Sequence, residues 1–406
     1  MLEAKTKNAS RRIRRLSLAA QGLLYERPFG SGLDGTRRAI QHLGYVQIDS
    51  ISVVARAHHH VLQARVPKFT PKMTNQLLNS KDIFEYWAHA AAFLPMEDFR
   101  FSLPYKQAIK AGQVHWYKKP DQKLMQELLA RIRADGPLKS RDLEQSRSKG
   151  SGWWDWKPAK KAIEQLYMRG DLMICDREGF QKSYDLTERV LPANVDTTLP
   201  DTDELAAYLL DQQLRSSAFV SLKGITYLRR GAELRNATKA LVNARIDSGE
   251  LEQVRLDNDV VYLCKTGTLD KPLPRVKDRL LILSPFDNSV IQRERLEALF
   301  NFNYQLECYL PEAKRQFGYF SLPLLYRDKF IGRMDCKAHR KTAVMEIKNL
   351  HVEPHPFDDN ELAKAFSAAL RKFAQFQGCE SIELRAVNPP RLRSALSDLE
   401  SLDKTL

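Results

Sequence analysis

One order of elements occurs twice in this chain, and it decides what the chain can fold into. Residues 120–190 read as three helical stretches followed by a strand pair. The first carries Leu124, Leu128 and Ile132 at helical spacing and stops at Gly136-Pro137. A short second helix takes Ser140 as its N-cap, and a third runs from Pro158 through Ala162, Ile163 and Leu166 to Gly170. Leu172–Cys175, the turn Asp176-Arg177-Glu178-Gly179 and Phe180–Leu186 then form a hairpin. Residues 203–264 repeat the series, with helix Leu205–Leu214, a short helix capped by Ser221, a third helix Glu233–Asp247, and two strands around Asp257-Asn258-Asp259. Gly249-Glu250-Leu251 leads into its strand as Gly170-Asp171-Leu172 does. Residues 11–62 read as a degenerate third copy, with a helix over 34–43 ending at Gly44 and a strand beginning at Tyr45-Val46. Three helices and a hairpin make a winged helix, a helix-turn-helix unit that binds DNA.

Third helices of such units enter the major groove while their flanks meet phosphate. Lys157, Lys160, Lys161 and Arg169 fit that role in one copy, and Arg235, Lys239 and Arg245 in the other. Each alone also fits a solvated helix face. Together they favour a DNA surface, as does the net charge of +14 from 64 Lys and Arg against 50 Asp and Glu. Beyond residue 275 the pattern changes. Leu280–Leu283, Tyr304–Leu310, Gly318–Tyr326, Phe330–Cys336 and Thr342–Leu350 read as strands, followed by a helix Glu361–Phe376 and a strand Ser381–Val387. The expected fold is α+β. It has three tandem winged helices over 1–118, 119–197 and 198–270, and a C-terminal β-barrel-like domain with one long helix over 271–406.

The five cysteines are scattered and never form a CxxC pair. That argues against a zinc ribbon, an iron–sulfur cluster and a disulfide framework, and for a reducing compartment. No apolar run reaches the ~18 residues of a membrane span. A cytoplasmic nucleic-acid enzyme or regulator fits these limits, and a monomer is expected.

The segment Tyr45-Val46-Gln47-Ile48-Asp49 is where chemistry is expected. In an extended chain Val46 and Ile48 face one side, while Gln47 and Asp49 share the other, with Cα atoms roughly 6.6 Å apart. A carboxylate beside an amide suits hydrolysis of an N-glycosidic bond. The carboxylate stabilises the oxocarbenium-like sugar and draws a proton from water, and the amide fixes that water. On spacing alone, two solvated strand residues are the commoner explanation.

Resemblance changes that weighting. Leu43-Gly44-Tyr45-Val46-Gln47-Ile48-Asp49, with Arg56-Ala57-His58-His59, is similar to the winged-helix DNA glycosylases that repair alkylation damage and interstrand crosslinks, the AlkZ and YcaQ type. So are Phe84-Glu85-Tyr86-Trp87-Ala88-His89, Tyr184–Pro192 and Leu283-Ser284-Pro285-Phe286-Asp287-Asn288. The resemblance implies three winged helices around a DNA channel and a Gln–apolar–acid or Gln–apolar–Gln catalytic motif. Gln47-Ile48-Asp49 matches the acid variant, the one associated with crosslink unhooking. It also implies a monofunctional base-excision enzyme acting on double-stranded DNA with alkylated or crosslinked purines.

Other residues support several readings. His58-His59-His60 point in different directions on a helix or strand, so they do not make one metal site, and phosphate contact, lesion contact and plain packing all remain. Trp87 and His89 line a damaged-base pocket or a core. The hairpin Val254–Cys264, with Asp257 and Asn258 at its tip, is a candidate minor-groove probe. No cofactor and no metal are expected. Asp335 followed by Glu346-Ile347-Lys348 is a competing nuclease-like pattern. A winged-helix transcriptional regulator is the other alternative, and it leaves Gln47 and Asp49 idle.

Overall fold

In a computed structural model, residues 2–139, 141–142 and 156–396 are described. The chain opens with strand β1 (Leu2–Ala4) and a helix, Lys7–Ala20, whose N-cap Thr6 accepts from the Ala9 amide. Ile13 and Leu16 of that helix are buried, as their spacing predicts, but against the 200–265 region rather than against their sequence neighbours.

The first repeated unit therefore begins later than expected. It comprises helix Gly32–Leu43, strand β2 (Val46–Gln47), helices Ala57–Gln63 and Lys72–Asn79, and the hairpin of β3 (Ile83–Trp87) and β4 (Ala91–Pro95). Gly44 ends the first helix at φ 76°, a left-handed position that suits glycine. The second unit has helix Gln122–Asp135, β5 (Leu138–Lys139), helix Trp156–Met168, β6 (Leu172–Glu178) and β7 (Gln181–Leu186). Its expected second helix, with Ser140, lies outside the described residues. Its hairpin turns at Gly179-Phe180 rather than over 176–179, because a bulge between Ile174 and Asp176 lets β6 run further. The third unit has helix Thr202–Ser217, closed by an Asp201/Glu204 capping box, then Leu222–Ile225, Ala232–Asp247, β8 (Leu251–Leu256) and β9 (Val261–Lys265).

The sheets share one rule. Their orders are β2-β4-β3 and β5-β7-β6, so the strand after the first helix pairs with the third strand and not the second. In the third unit a single bridge, Val220 to Leu263 on β9, keeps the same pairing, and β1 adds parallel to β8.

The C-terminal region is a six-stranded sheet, β10 (Leu280–Ile282), β11 (Ser321–Tyr326), β12 (Lys329–His339), β13 (Val344–Val352) and β14 (Ser381–Leu384) in that order, with β15 (Val387–Asn388) also on β13. Leu362, Phe366, Leu370 and Phe373 of helix Asp359–Phe376 are buried in its core. Two expectations are corrected here. The sheet path ends at β10 and β14 without closing, so among the described residues it is open rather than a barrel. Tyr304–Leu310 is not a strand but a loop with a 3-10 turn at Glu307–Tyr309. Glu307 is the cause: its buried carboxylate accepts the amides of Gln316, Phe317 and Gly318, which curls the chain back on itself.

Two buried charge networks bind these parts into one body. Arg65 and Asp287, both fully buried, meet in a two-pronged pair at 2.6 and 2.8 Å, and Arg65 also donates to the Gln21 carbonyl. Desolvation raises the Asp287 carboxyl, and Arg65 more than offsets it, holding it low. Beside it, Asn288 donates to the Tyr45 carbonyl at 3.0 Å and so clamps the strand that carries Gln47. Glu85 on β3 is buried between Arg177 and Lys182 of the second unit's hairpin, at 2.7 and 2.9 Å.

Candidate active site

Gln47 closes β2 opposite Ala92, with Val46 and Ile48 in the core on either side of it. Its own side chain is also buried, at 6% exposure, because a polar neighbour fills the space beside it. That neighbour is His89, whose Nε2 donates to Gln47 Oε1 at 3.1 Å. The His89 ring meets Tyr45 and Tyr227 edge-on, with centroids 5.0 and 5.3 Å apart. Burial, reinforced by the Arg229 charge, pulls the imidazole down to about 4, so it is neutral at physiological pH.

Asp49 is half-buried. Its Oδ1 accepts the Ile51 amide at 2.7 Å, a local turn that aims the carboxylate. Burial raises this carboxyl, while the Ile51 amide and Arg56 oppose the rise. Arg56 is set over the ring of Phe180, 3.7 Å from its centroid, so the second unit's hairpin tip reaches the motif. Burial raises the Cys308 thiol, and the nearby Asp49 charge raises it further. Tyr309 is 75% exposed.

A narrow cleft, with room for about 40 Å³, lies beyond His89 and Tyr45, and neither Gln47 nor Asp49 is among the residues that line it. His89, Trp87, Tyr208, Tyr227, Asp98 and Arg229 are among its walls. Burial pushes Asp98 up to about 6 despite its hydrogen bond from Tyr208. Trp87 meets Trp116 edge-on at 4.9 Å, so it is both wall and packing.

Several expected contact residues stand elsewhere. His58 is buried against Phe93 and His59 at 4% exposure, and burial holds it neutral, so it is a core residue rather than a phosphate ligand. His59, pulled to about 4, carries no charge for a phosphate either. Arg245 is occupied by Asp211 and Glu250, bridging the first and third helices of its own unit. The tip of the 254–264 hairpin, residues 257–260, is exposed and touches two helices at its edge. Asn258 donates to the Ala298 carbonyl and Ser10 reaches Asp257, which dock the tip against the Lys7–Ala20 and Arg293–Phe300 helices. Lys160, Lys161 and Lys239 are exposed as expected, whereas the Lys157 side chain lies outside the described residues. In the C-terminal sheet, Asp335 accepts the amides of Tyr319 and Phe320, while Glu346 is held by His339 and Arg385. Both carboxylates of the nuclease-like pattern are thus committed to structure.

Three helix-and-hairpin units stand beside an open sheet, and the residue that holds the Gln47 amide, His89, also lines a neighbouring cleft. The chain belongs to the DNA glycosylase AlkZ-like family, whose model matches residues 40–376. Among solved structures it is similar to the Streptomyces sahachiroi DNA glycosylase AlkZ, at 14% identity and a TM-score of 0.61, over 94% of this chain and 100% of that one. The regulator and nuclease readings are set aside by this membership. No helix among the described residues is long and apolar enough to cross a membrane.

Sequence reasoning missed Tyr45, Tyr227 and Arg229 as cleft residues, and Phe180 and Tyr309 as neighbours of the motif. Tyr45 adjoins the motif and was within reach of inspection. The others come from 130 to 260 residues away and carry no local mark.

Proposed function

We propose that this glycosylase excises N7-alkylated purines, including purines tethered across the duplex, by hydrolysis at Gln47 and Asp49. The observation that carries this is the fixed amide of Gln47 two residues before a half-exposed carboxylate. Asp49 stabilises positive charge as the sugar loses its base and draws a proton from the attacking water. Gln47, with one oxygen lone pair given to His89, retains its second lone pair and its amide hydrogens to hold that water. An N7-alkylated guanine is already cationic and leaves with little acid assistance, which suits a site without a strong general acid. Water as nucleophile leaves an intact abasic site.

The three hairpin units read as winged helices, and their shared strand pairing supports this. Exposed Lys160, Lys161 and Lys239 supply phosphate contacts, so binding weakens steeply with salt. Three duplexes test the substrate class: one with N7-methylguanine, one with an N7–N7 crosslink and one with uracil. Release from the first two in excess chelator, with uracil untouched, is expected. Brisk uracil release, inertness toward both N7 substrates, or loss of activity in chelator that magnesium restores would overturn the reading.

A further inference from the structure

The turn between helices Leu222–Ile225 and Ala232–Asp247 carries features that joining two helices does not require. Leu228 is 66% exposed, and its backbone lies at φ 56°, a left-handed region that leucine rarely adopts. Its neighbours hold it there. Tyr227 donates its amide to the Gly224 carbonyl and its hydroxyl to the Ile291 carbonyl at 3.0 Å, and the Arg229 amide donates to Thr226 at 2.9 Å. Arg229 then turns into the cleft. Among the described residues, no hydrogen bond or ion pair engages its guanidinium. Burial lowers it, and only the Tyr208 and Tyr45 hydroxyls counter that effect. A half-buried guanidinium at a cleft wall, with no acid beside it, is a site for an anion. The turn is also joined to the motif, since Tyr227 meets His89 and His89 holds Gln47.

We propose that this turn opens the duplex at the lesion: Leu228 wedges into the base stack beside the damaged nucleotide, and Arg229 grips the phosphodiester that flanks it. Apolar side chains part base steps in this way, and the planar guanidinium fork matches two phosphate oxygens. The inference rests on the Gln47–Asp49 reading for where the nucleotide is delivered. It does not depend on which base is cut.

Its test reads unstacking and binding without chemistry. A duplex carries 2-aminopurine beside an N7-methylguanine whose 2′-fluoro sugar resists cleavage. The wild type is expected to raise 2-aminopurine fluorescence. Leu228→Gly keeps the left-handed backbone but removes the wedge, and should lose the rise with its melting temperature unchanged or higher. Leu228→Asn, which also tolerates that backbone, should lose it too. A fluorescence rise retained in both variants overturns the wedge. Methylphosphonate in place of the flanking phosphate should weaken the wild type about tenfold and Arg229→Gln not at all. Equal weakening of the two proteins overturns the phosphate grip. A wild type that gives both signals yet releases no N7-alkylpurine would sink the substrate reading and leave this one supported.

Discussion

His89 Nε2 lies 3.1 Å from Gln47 Oε1, and because burial keeps the imidazole neutral, the ring donates one proton and fixes which end of the amide is which. The motif's amide is thus oriented by a residue 42 positions away rather than by its own strand. His89→Ala should lower single-turnover excision by about tenfold through the rate constant, with duplex affinity little changed. His89→Asn, which can still donate to the amide oxygen, should recover part of the loss. Equal losses in both variants would show that the ring packs the site without orienting it.

The role proposed for Asp49 requires the ionised form, and burial raises its carboxyl while the Ile51 amide and Arg56 hold it down. The active form is therefore lost as pH falls through a value above the usual carboxylate range. Arg56→Gln removes one opposing charge, so the acid limb of the excision profile should move to higher pH. Asp49→Asn should cost about a hundredfold or more in rate at every pH, with binding within about twofold of the wild type. An acid limb unmoved by Arg56→Gln would separate that arginine from the carboxylate.

Lys106 is buried among Phe99, Tyr86 and Phe84, with Nζ 3.9, 4.6 and 5.5 Å from the ring centroids and no hydrogen-bond acceptor. Burial pulls its ammonium down to about 7. In the unfolded chain a lysine titrates near 10.4, so between about 7 and 10.4 the unfolded state binds the extra proton and stability rises with pH. Below that window both states are charged and the fold bears the full desolvation cost. Lys106→Met should therefore stabilise the protein at pH 7 by roughly 2 kcal/mol and flatten the stability profile across the window. Thermal melts from pH 6 to 10 read both effects, and a less stable Lys106→Met would mean that the three rings more than compensate the buried charge.

Gly44, at φ 76°, is where the motif strand passes the Thr202–Ser217 helix. A Cβ there would meet Gln212 Nε2 at 2.0 Å and its Cγ at 2.4 Å. Gly44→Ala combines an unfavourable backbone with a collision and should destabilise by about 2 kcal/mol. Denaturant midpoints check this, and a change under about 0.5 kcal/mol would show that Gln212 swings aside freely.

What could be read in the sequence followed local punctuation. Gly170 and Gly249 end helices just before strands, and those two units were found. The first unit's hairpin went unseen because its turn, Ala88-His89-Ala90, has none of the Gly, Pro, Asn or Asp residues that mark turns. At Asp257-Asn258 the turn chemistry marks a tip that is exposed, and its contacts with the rest of the chain have no local mark. Ser10 and Ala298 dock it, and neither contact is local. Gln47 and Asp49 emerged through resemblance, and spacing alone would have left them as ordinary strand residues. For His58 the sequence leaves packing and contact both open, because a helix of three histidines gives no sign of which face turns inward.

The Arg65–Asp287 and Tyr45–Asn288 clamps have a consequence for synthesis. Residue 287 leaves the ribosome 222 residues after residue 65, an interval of roughly 10–45 s at ordinary elongation rates. Through that interval the Gln47 strand lacks its clamp, and a buried arginine has no counter-charge. A chain cut short before this point therefore carries the Gln47 strand without the contacts that clamp it.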